Sequence, residues 1–134
     1  MTLTKKDKVL DGCDYYCVFD LMNPRTVEVE DEDALDLDEL VNRVIAWGEI
    51  HGITNIWSQA SKVTEEWGET IGEMNHNRFG ANFEDGIGDT LVSLIIFAHI
   101  NGKDIAKCLA DSLRTIQNRD GETIDGNFIK KGEK

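Results

Sequence analysis

Apolar side chains recur every three or four positions in four stretches of the chain, and short polar stretches separate them. This spacing is typical of helices that bury one face. The predicted helices cover residues 37–51, about 58–74, about 82–100 and 105 to about 119. The pattern therefore predicts an all-α fold of four main helices, in which residues 36–134 form one domain.

Residues at the expected helix ends support these bounds. Asp36 or Asp38 can cap the first helix, and Asp104 can cap the fourth. Asn82 with Asp85 three residues later resembles a capping arrangement at the start of the third helix. Two Asp-Gly pairs, at 120–121 and 125–126, predict either a small hairpin or an irregular arm at the carboxyl end.

Residues 1–35 precede the predicted domain and carry weaker signals. An apolar run at 15–22 has the length of a strand or a short helix, and Pro24 marks a turn. Residues 26–30 alternate like an edge strand. We interpret residues 1–35 as an N-terminal extension that docks on the domain or acts as a dimer arm, with a lid over a substrate as the alternative.

The third predicted helix is apolar on more than one face over residues 91–100. Since one four-helix subunit does not cover all these faces, we expect a homodimer or a homotetramer with helices packed across the interface. In the fourth helix, Ile105, Leu109, Ser112, Leu113 and Ile116 form the predicted inner stripe.

Charge and cysteine content narrow the function classes. The chain has 14 basic and 26 acidic residues, giving a net charge of −12, which argues against nucleic-acid and anionic-membrane partners. It has no apolar run of transmembrane length and no signal-peptide core at its start, so a cytoplasmic location is expected. Cys13, Cys17 and Cys108 require no disulfide, and no second Cys/His pair completes a zinc site.

Acidic residues are concentrated on the second and third predicted helices. Gln59, Lys62, Glu66, Glu69 and Glu73 form one stripe of the second helix, beside its apolar stripe. Glu65 points further out. On the third helix, Asp85 and Asp89 lie four residues apart on one face, where an apolar stretch begins.

Carboxylates beside a core need partners. Two like charges about 5 Å apart repel by roughly 3 kcal/mol at an effective dielectric near 20. If the two helices face each other, their carboxylates need cations, and oxygen-only ligands suit Mg²⁺ or Mn²⁺ better than Zn²⁺. If the helices do not face each other, a solvated acidic face explains the same residues.

Two motifs in order resemble a known family. The pattern Q-x-x-K-x-x-E-E-x-x-E runs from Gln59 to Glu69, and D-x-I-G-D-x-L runs from Asp85 to Leu91. Together they resemble the MazG-like all-α nucleoside triphosphate pyrophosphohydrolases, in particular the small phage members. The resemblance implies a four-helix domain assembled as a dimer or a dimer of dimers, in the host cytoplasm if phage-encoded.

The resemblance also implies an activity and a metal site. The implied reaction is Mg²⁺-dependent hydrolysis of a (deoxy)nucleoside triphosphate to the monophosphate and pyrophosphate, with Mn²⁺ as a substitute metal. The implied metal ligands are Glu66, Glu69, Asp85 and Asp89. The implied catalytic residues are Glu65, Glu66, Glu69 and Asp89, with Glu65 as a further ligand or an outer base.

Six other residues are candidates for substrate binding. The candidates are Gln59, Lys62, Trp47, Trp57, Arg119 and Lys130. Core packing is the alternative for Trp47, a loop anchor for Trp57, and an exposed basic tail for Lys130. Lys62 can instead pair with Glu65 or Glu66.

The chain departs from the family pattern at two positions. Gly86 stands where a Glu is expected three residues before the final Asp, and Asp85 is the natural substitute. Thr115 stands where a basic residue is expected. Both departures favour an alternative in which a catalytically impaired nucleotide- or partner-binding protein keeps the acidic cluster as a metal or structural site. A further alternative is a metal phosphohydrolase that releases orthophosphate.

Overall fold

The computed structural model describes residues 36–132, which are mainly helical and contain four helices and one two-stranded sheet. This confirms the predicted all-α class in its main feature. The elements are α1 (Leu37–Ile50), α2 (Ile56–Asn75), α3 (Ala81–Ile100), α4 (Ile105–Gln117), β1 (Gly121–Ile124) and β2 (Asn127–Lys130). The predictions for residues 1–35, including Cys13 and Cys17, lie outside the described residues.

The described chain divides into two compact units, with the boundary between Gly102 and Lys103. The first unit contains α1, α2 and α3, and the second contains α4 and the sheet. Within residues 36–132, every helix is too short or too polar to cross a membrane.

Side-chain caps set the starts of α1 and α2. Asp36 accepts a hydrogen bond from the amide of Asp38 at 2.9 Å, which identifies Asp36 as the cap of α1. Asn55 accepts from the amides of Trp57 (3.1 Å) and Ser58 (3.0 Å). Because of this cap, α2 begins two residues earlier than predicted, and Trp57 lies in its first turn rather than in a loop.

The predicted capping role of Asn82 and Asp85 is wrong. Helix α3 already begins at Ala81, after Gly80, and no side chain caps it. Asn82 and Asp85 are therefore inside the helix, where their side chains line a cleft against α2.

Helices α2 and α3 pack against each other through small and polar residues. The side-chain amide of Gln59 donates to the carbonyl oxygen of Ser93 at 3.0 Å, and both residues are buried. At the other end, a Cβ added to Gly86 would lie 2.3 Å from Oγ1 of the buried Thr70. Early residues of α2 thus meet late residues of α3, so the two helices form an antiparallel hairpin.

Helix α1 packs on the carboxyl-terminal half of α3. Val44 is almost fully buried, and a Cβ on the buried Gly48 would lie 3.3 Å from Cγ1 of Ile96. Oε1 of Glu49 on α1 lies 2.8 Å from Nε2 of His99 on α3, and this contact links the two helices. The buried apolar side chains of the described residues are Val44, Ile95, Ile96 and Ala98.

In the second unit, Asp104 caps α4 by accepting from the amide of Lys107 at 3.1 Å, as predicted. The hairpin alternative for the tail is confirmed. Strands β1 and β2 pair antiparallel across a turn at Asp125 and Gly126, whose φ angles of 49° and 76° suit a type I′ turn. The residues of the predicted inner stripe of α4 are not buried: Leu109, Ser112, Leu113 and Ile116 are exposed, and Ile105 is half-buried.

Candidate functional site

One side of the α2–α3 hairpin forms a cleft of about 270 Å³ that we term the acidic cleft. It is lined by Glu66, Glu69, Thr70, Glu73, Asn82, Asp85, Gly86 and Asp89. The two helices therefore face each other, which the sequence alone did not establish. All four residues predicted as metal ligands line the same cleft.

The carboxylates of the acidic cleft act on one another. The pKa of Asp89 is raised, first because the carboxyl group is partly buried and then because Glu66, Asp85 and Glu69 lie nearby. Lys62 opposes this shift only in part. The cleft thus concentrates negative charge at the point where α3 enters the core.

The chemistry of this donor set fits a hard divalent cation, since Mg²⁺ and Mn²⁺ bind carboxylate oxygens. Among residues 36–132, no group of three or more His, Cys, Asp or Glu side chains is already arranged to hold a metal ion. The metal-binding roles of Glu66, Glu69, Asp85 and Asp89 stay predictions.

Lys62 contacts the cleft from one turn earlier on α2. Its Nζ lies 2.7 Å from Oε1 of Glu66 and 3.4 Å from Oε1 of Glu65. The hydrogen bond to Glu66 raises the pKa of Lys62, so the ammonium group keeps its charge. The side chain of Glu66 is 13% exposed and that of Glu65 is 58% exposed, which places Glu65 outside the cleft, at its edge.

Glu73 and Asn82 line the acidic cleft but were not predicted as site residues. Their positions carried a signal. Glu73 extends the stripe of Glu66 and Glu69 by one more turn, and Asn82 lies one turn before Gly86. Arg78 forms two hydrogen bonds to the Glu73 carboxylate, which lower the pKa of Glu73.

The other predicted substrate-binding residues lie in varied surroundings. Trp47 stacks on His51 with ring centroids 4.3 Å apart, and Trp57 is 79% exposed. Gln59 is buried between α2 and α3 and does not line the acidic cleft. Arg119 and Lys130 belong to the second unit, after α4 and on β2. Their roles in substrate binding stay predictions.

The structure explains why position 86 holds a glycine, which the sequence alone did not reveal. Besides the 2.3 Å approach to Thr70 Oγ1, a Cβ at this position would lie 3.3 Å from the backbone Cα of Thr70. No side chain, and so no Glu, fits here while the two helices keep this separation. Asp85 and Asp89 are therefore the α3 carboxylates of the acidic cleft.

Comparison with known proteins gave no match to a family model, a curated protein or a solved structure. The resemblance to the MazG-like enzymes rests on the motif residues alone.

Proposed function

We propose that this protein hydrolyses a (deoxy)nucleoside triphosphate between the α- and β-phosphates, releasing the monophosphate and pyrophosphate. One observation supports the proposal above the others. The two halves of the acidic motif, Glu66 with Glu69 and Asp85 with Asp89, line one cleft although they are separated in sequence. The raised pKa of Asp89 is consistent with a site that a cation completes.

Glu66, Glu69, Asp85 and Asp89 would hold the cation. When bound, Mg²⁺ or Mn²⁺ would neutralise phosphate charge and make water a better nucleophile near neutral pH. A net charge of −12 would otherwise repel the substrate.

The chain's own residues supply the remaining roles. Water adds to the α-phosphorus, the bond from that phosphorus to the bridging oxygen breaks, and pyrophosphate leaves. Glu65, which is 58% exposed and directly precedes Glu66, would take the proton from water. Lys62 keeps its positive charge beside Glu66 and offsets charge on the phosphates.

A panel of canonical and modified nucleoside triphosphates, assayed with Mg²⁺ or Mn²⁺, tests the reaction. We expect pyrophosphate from a subset of the nucleotides and no turnover in EDTA. Orthophosphate as the first product would replace the proposal with another metal phosphohydrolase. Metal binding without any product would leave the impaired, nucleotide- or partner-binding alternative.

The opposite side of the hairpin, which we term the apolar side, bears on assembly. The apolar side consists of Trp67, Met74, Ile87, Leu91 and Leu94. At about 100° per residue, these residues lie across the Thr70–Gly86 contact from the carboxylates. Their exposed fractions range from 37% to 51%, and such a patch, on the order of several hundred Å², is typical of an interface.

We propose that a second copy of the chain covers the apolar side. Helices α2 and α3 have 20 residues each, so another hairpin of the same length matches the surface. The apolar run at 15–22 is much shorter than either helix. In this assembly the two acidic clefts face away from the interface.

Light scattering coupled to size-exclusion chromatography tests the assembly. Wild-type protein is expected as a dimer or tetramer, and Leu91→Glu as a folded species of half that size or less. Ile50→Glu is the control, since Ile50 is 81% exposed at the end of α1 and away from the apolar side. A monomeric wild type would overturn this proposal and point to cover from the chain's own residues.

A further inference from the structure

The turn after α2 brings a cation, Arg78, to Glu73, which is one of the residues that line the acidic cleft. Asn77 has a φ of 54°, its amide donates to Met74 O at 2.9 Å, and the amide of Arg78 donates to Glu73 O at 2.9 Å. These two bonds and the left-handed residue between them form a Schellman motif. The residue in the position of Arg78 frequently makes an apolar contact with the last turn of such a helix. Here the charged side chain of Arg78 turns back towards Glu73 on α2 instead.

The side chain of Arg78 binds Glu73 with both arms of its guanidinium group. Nε donates to Oε2 at 2.9 Å and Nη2 donates to Oε1 at 2.8 Å. Glu73 lines the acidic cleft, so the guanidinium group lies within hydrogen-bonding distance of a carboxylate that forms part of the cleft wall. The planar fork that fits a carboxylate fits two phosphate oxygens equally well.

The ion pair between Arg78 and Glu73 adds little to the stability of the turn. The backbone bonds already close the helix end, and the Arg78 side chain is 57% exposed, a setting in which ion pairs contribute little. Along α2, Glu66 and Glu73 are two turns apart, and each is paired with a cation, Lys62 and Arg78. The acidic cleft is thus bordered by positive charge at both ends of its α2 wall.

We propose that Arg78 binds the polyphosphate group of the substrate and that its ion pair with Glu73 is the resting contact that the substrate displaces. This inference rests on the proposed function and adds a substrate-contacting residue to it. On substrate binding, the fork exchanges the Glu73 carboxylate for phosphate oxygens. No bond is made or broken in this step.

The test measures the affinity for inorganic tripolyphosphate in the presence of Mg²⁺, the affinity for Mg²⁺ alone, and KM for the nucleotide found in the panel. Arg78→Ala is expected to weaken tripolyphosphate binding and raise KM by about 10- to 100-fold, the range for a hydrogen bond to a charged group. Arg78→Lys keeps the charge without the fork, so its tripolyphosphate affinity and KM should lie between those of wild type and Arg78→Ala. Binding of Mg²⁺ alone should stay at the wild-type value or tighten.

Two variants separate contact with phosphate from a structural role. Arg43→Ala removes another helix-surface arginine, paired with Glu39 on α1, and should leave tripolyphosphate binding unchanged. Glu73→Gln breaks the same ion pair as Arg78→Ala but keeps the guanidinium group, so it should bind tripolyphosphate at least as tightly as wild type. If the ion pair only stabilises the turn, Glu73→Gln and Arg78→Ala will weaken binding equally.

The outcomes distinguish this inference from the proposed function. Wild-type turnover together with a folded Arg78→Ala variant whose KM and tripolyphosphate affinity stay within twofold would overturn the role of Arg78 alone. A wild-type protein that turns over no nucleotide and does not bind tripolyphosphate with Mg²⁺ would overturn both.

Discussion

Asp89→Asn is expected to lower kcat/KM for Mg²⁺-dependent pyrophosphate release by at least about 1,000-fold. Asp89 lines the acidic cleft, and its pKa is raised by burial and by the nearby carboxylates of Glu66, Asp85 and Glu69. Asn keeps the shape and one oxygen but loses the charge that a cation requires. We also expect Mg²⁺ to raise the melting temperature of wild type but not that of Asp89→Asn.

In the metal-free protein, Asp89→Asn should raise the thermal stability rather than lower it. Because the pKa of Asp89 is raised in the folded state, ionisation of Asp89 costs stability, and this cost appears as pH rises above the usual carboxyl range. Metal-free Asp89→Asn should therefore melt above wild type near pH 7, and the difference should vanish at about pH 3. Asp38→Asn, in the first turn of α1, is the control. Activity within tenfold of wild type would remove Asp89 from the site.

Gly86→Ala is expected to lower the free energy of unfolding by about 1–3 kcal/mol, as overpacking does in other cores. The added Cβ meets Thr70 Oγ1 at 2.3 Å and the Thr70 backbone at 3.3 Å, so rotation of one side chain does not relieve the whole contact. The loss appears despite the gain of up to about 1 kcal/mol that Ala gives over Gly inside a helix. Urea denaturation monitored by circular dichroism measures it.

Two further variants test the cause of the Gly86→Ala effect. Gly72→Ala on α2 has no atom within 4 Å of its new Cβ and should be neutral or stabilising by about 0.5–1 kcal/mol. In a Thr70→Ala background, which removes Oγ1, Gly86→Ala should cost less than in wild type. An equal cost in both backgrounds would mean that contact with Thr70 Oγ1 is not the source.

The features that the sequence predicted depend only on residues that are neighbours along one helix. The spacing of Glu66 and Glu69 on α2, and of Asp85 and Asp89 on α3, follows from helical geometry alone. The capping role of Asp104 is similarly local. It was possible to predict these features without knowing which helices meet.

The features that the sequence did not reveal depend on contacts between distant residues or on a specific turn. In the sequence, Gly86 is only a position without the expected carboxylate, because its contact with Thr70 exists only once α2 meets α3. The cap at Asn55, which brings Trp57 into α2, depends on a side-chain conformation that hydrophobic spacing does not indicate. Arg78 reaches Glu73 only because Asn77 adopts a left-handed conformation that few residues other than glycine take.

The close crossing at Gly86 limits how this chain can change by mutation. A glutamate at position 86 would need space that Thr70 and its backbone occupy, so that single substitution would push the helices apart before adding a useful ligand. A chain with glutamate there would need a wider separation of the helices and different residues opposite it on α2. A change at position 86 alone would therefore not be enough. The glycine at position 86 and the close packing of α2 on α3 therefore depend on each other.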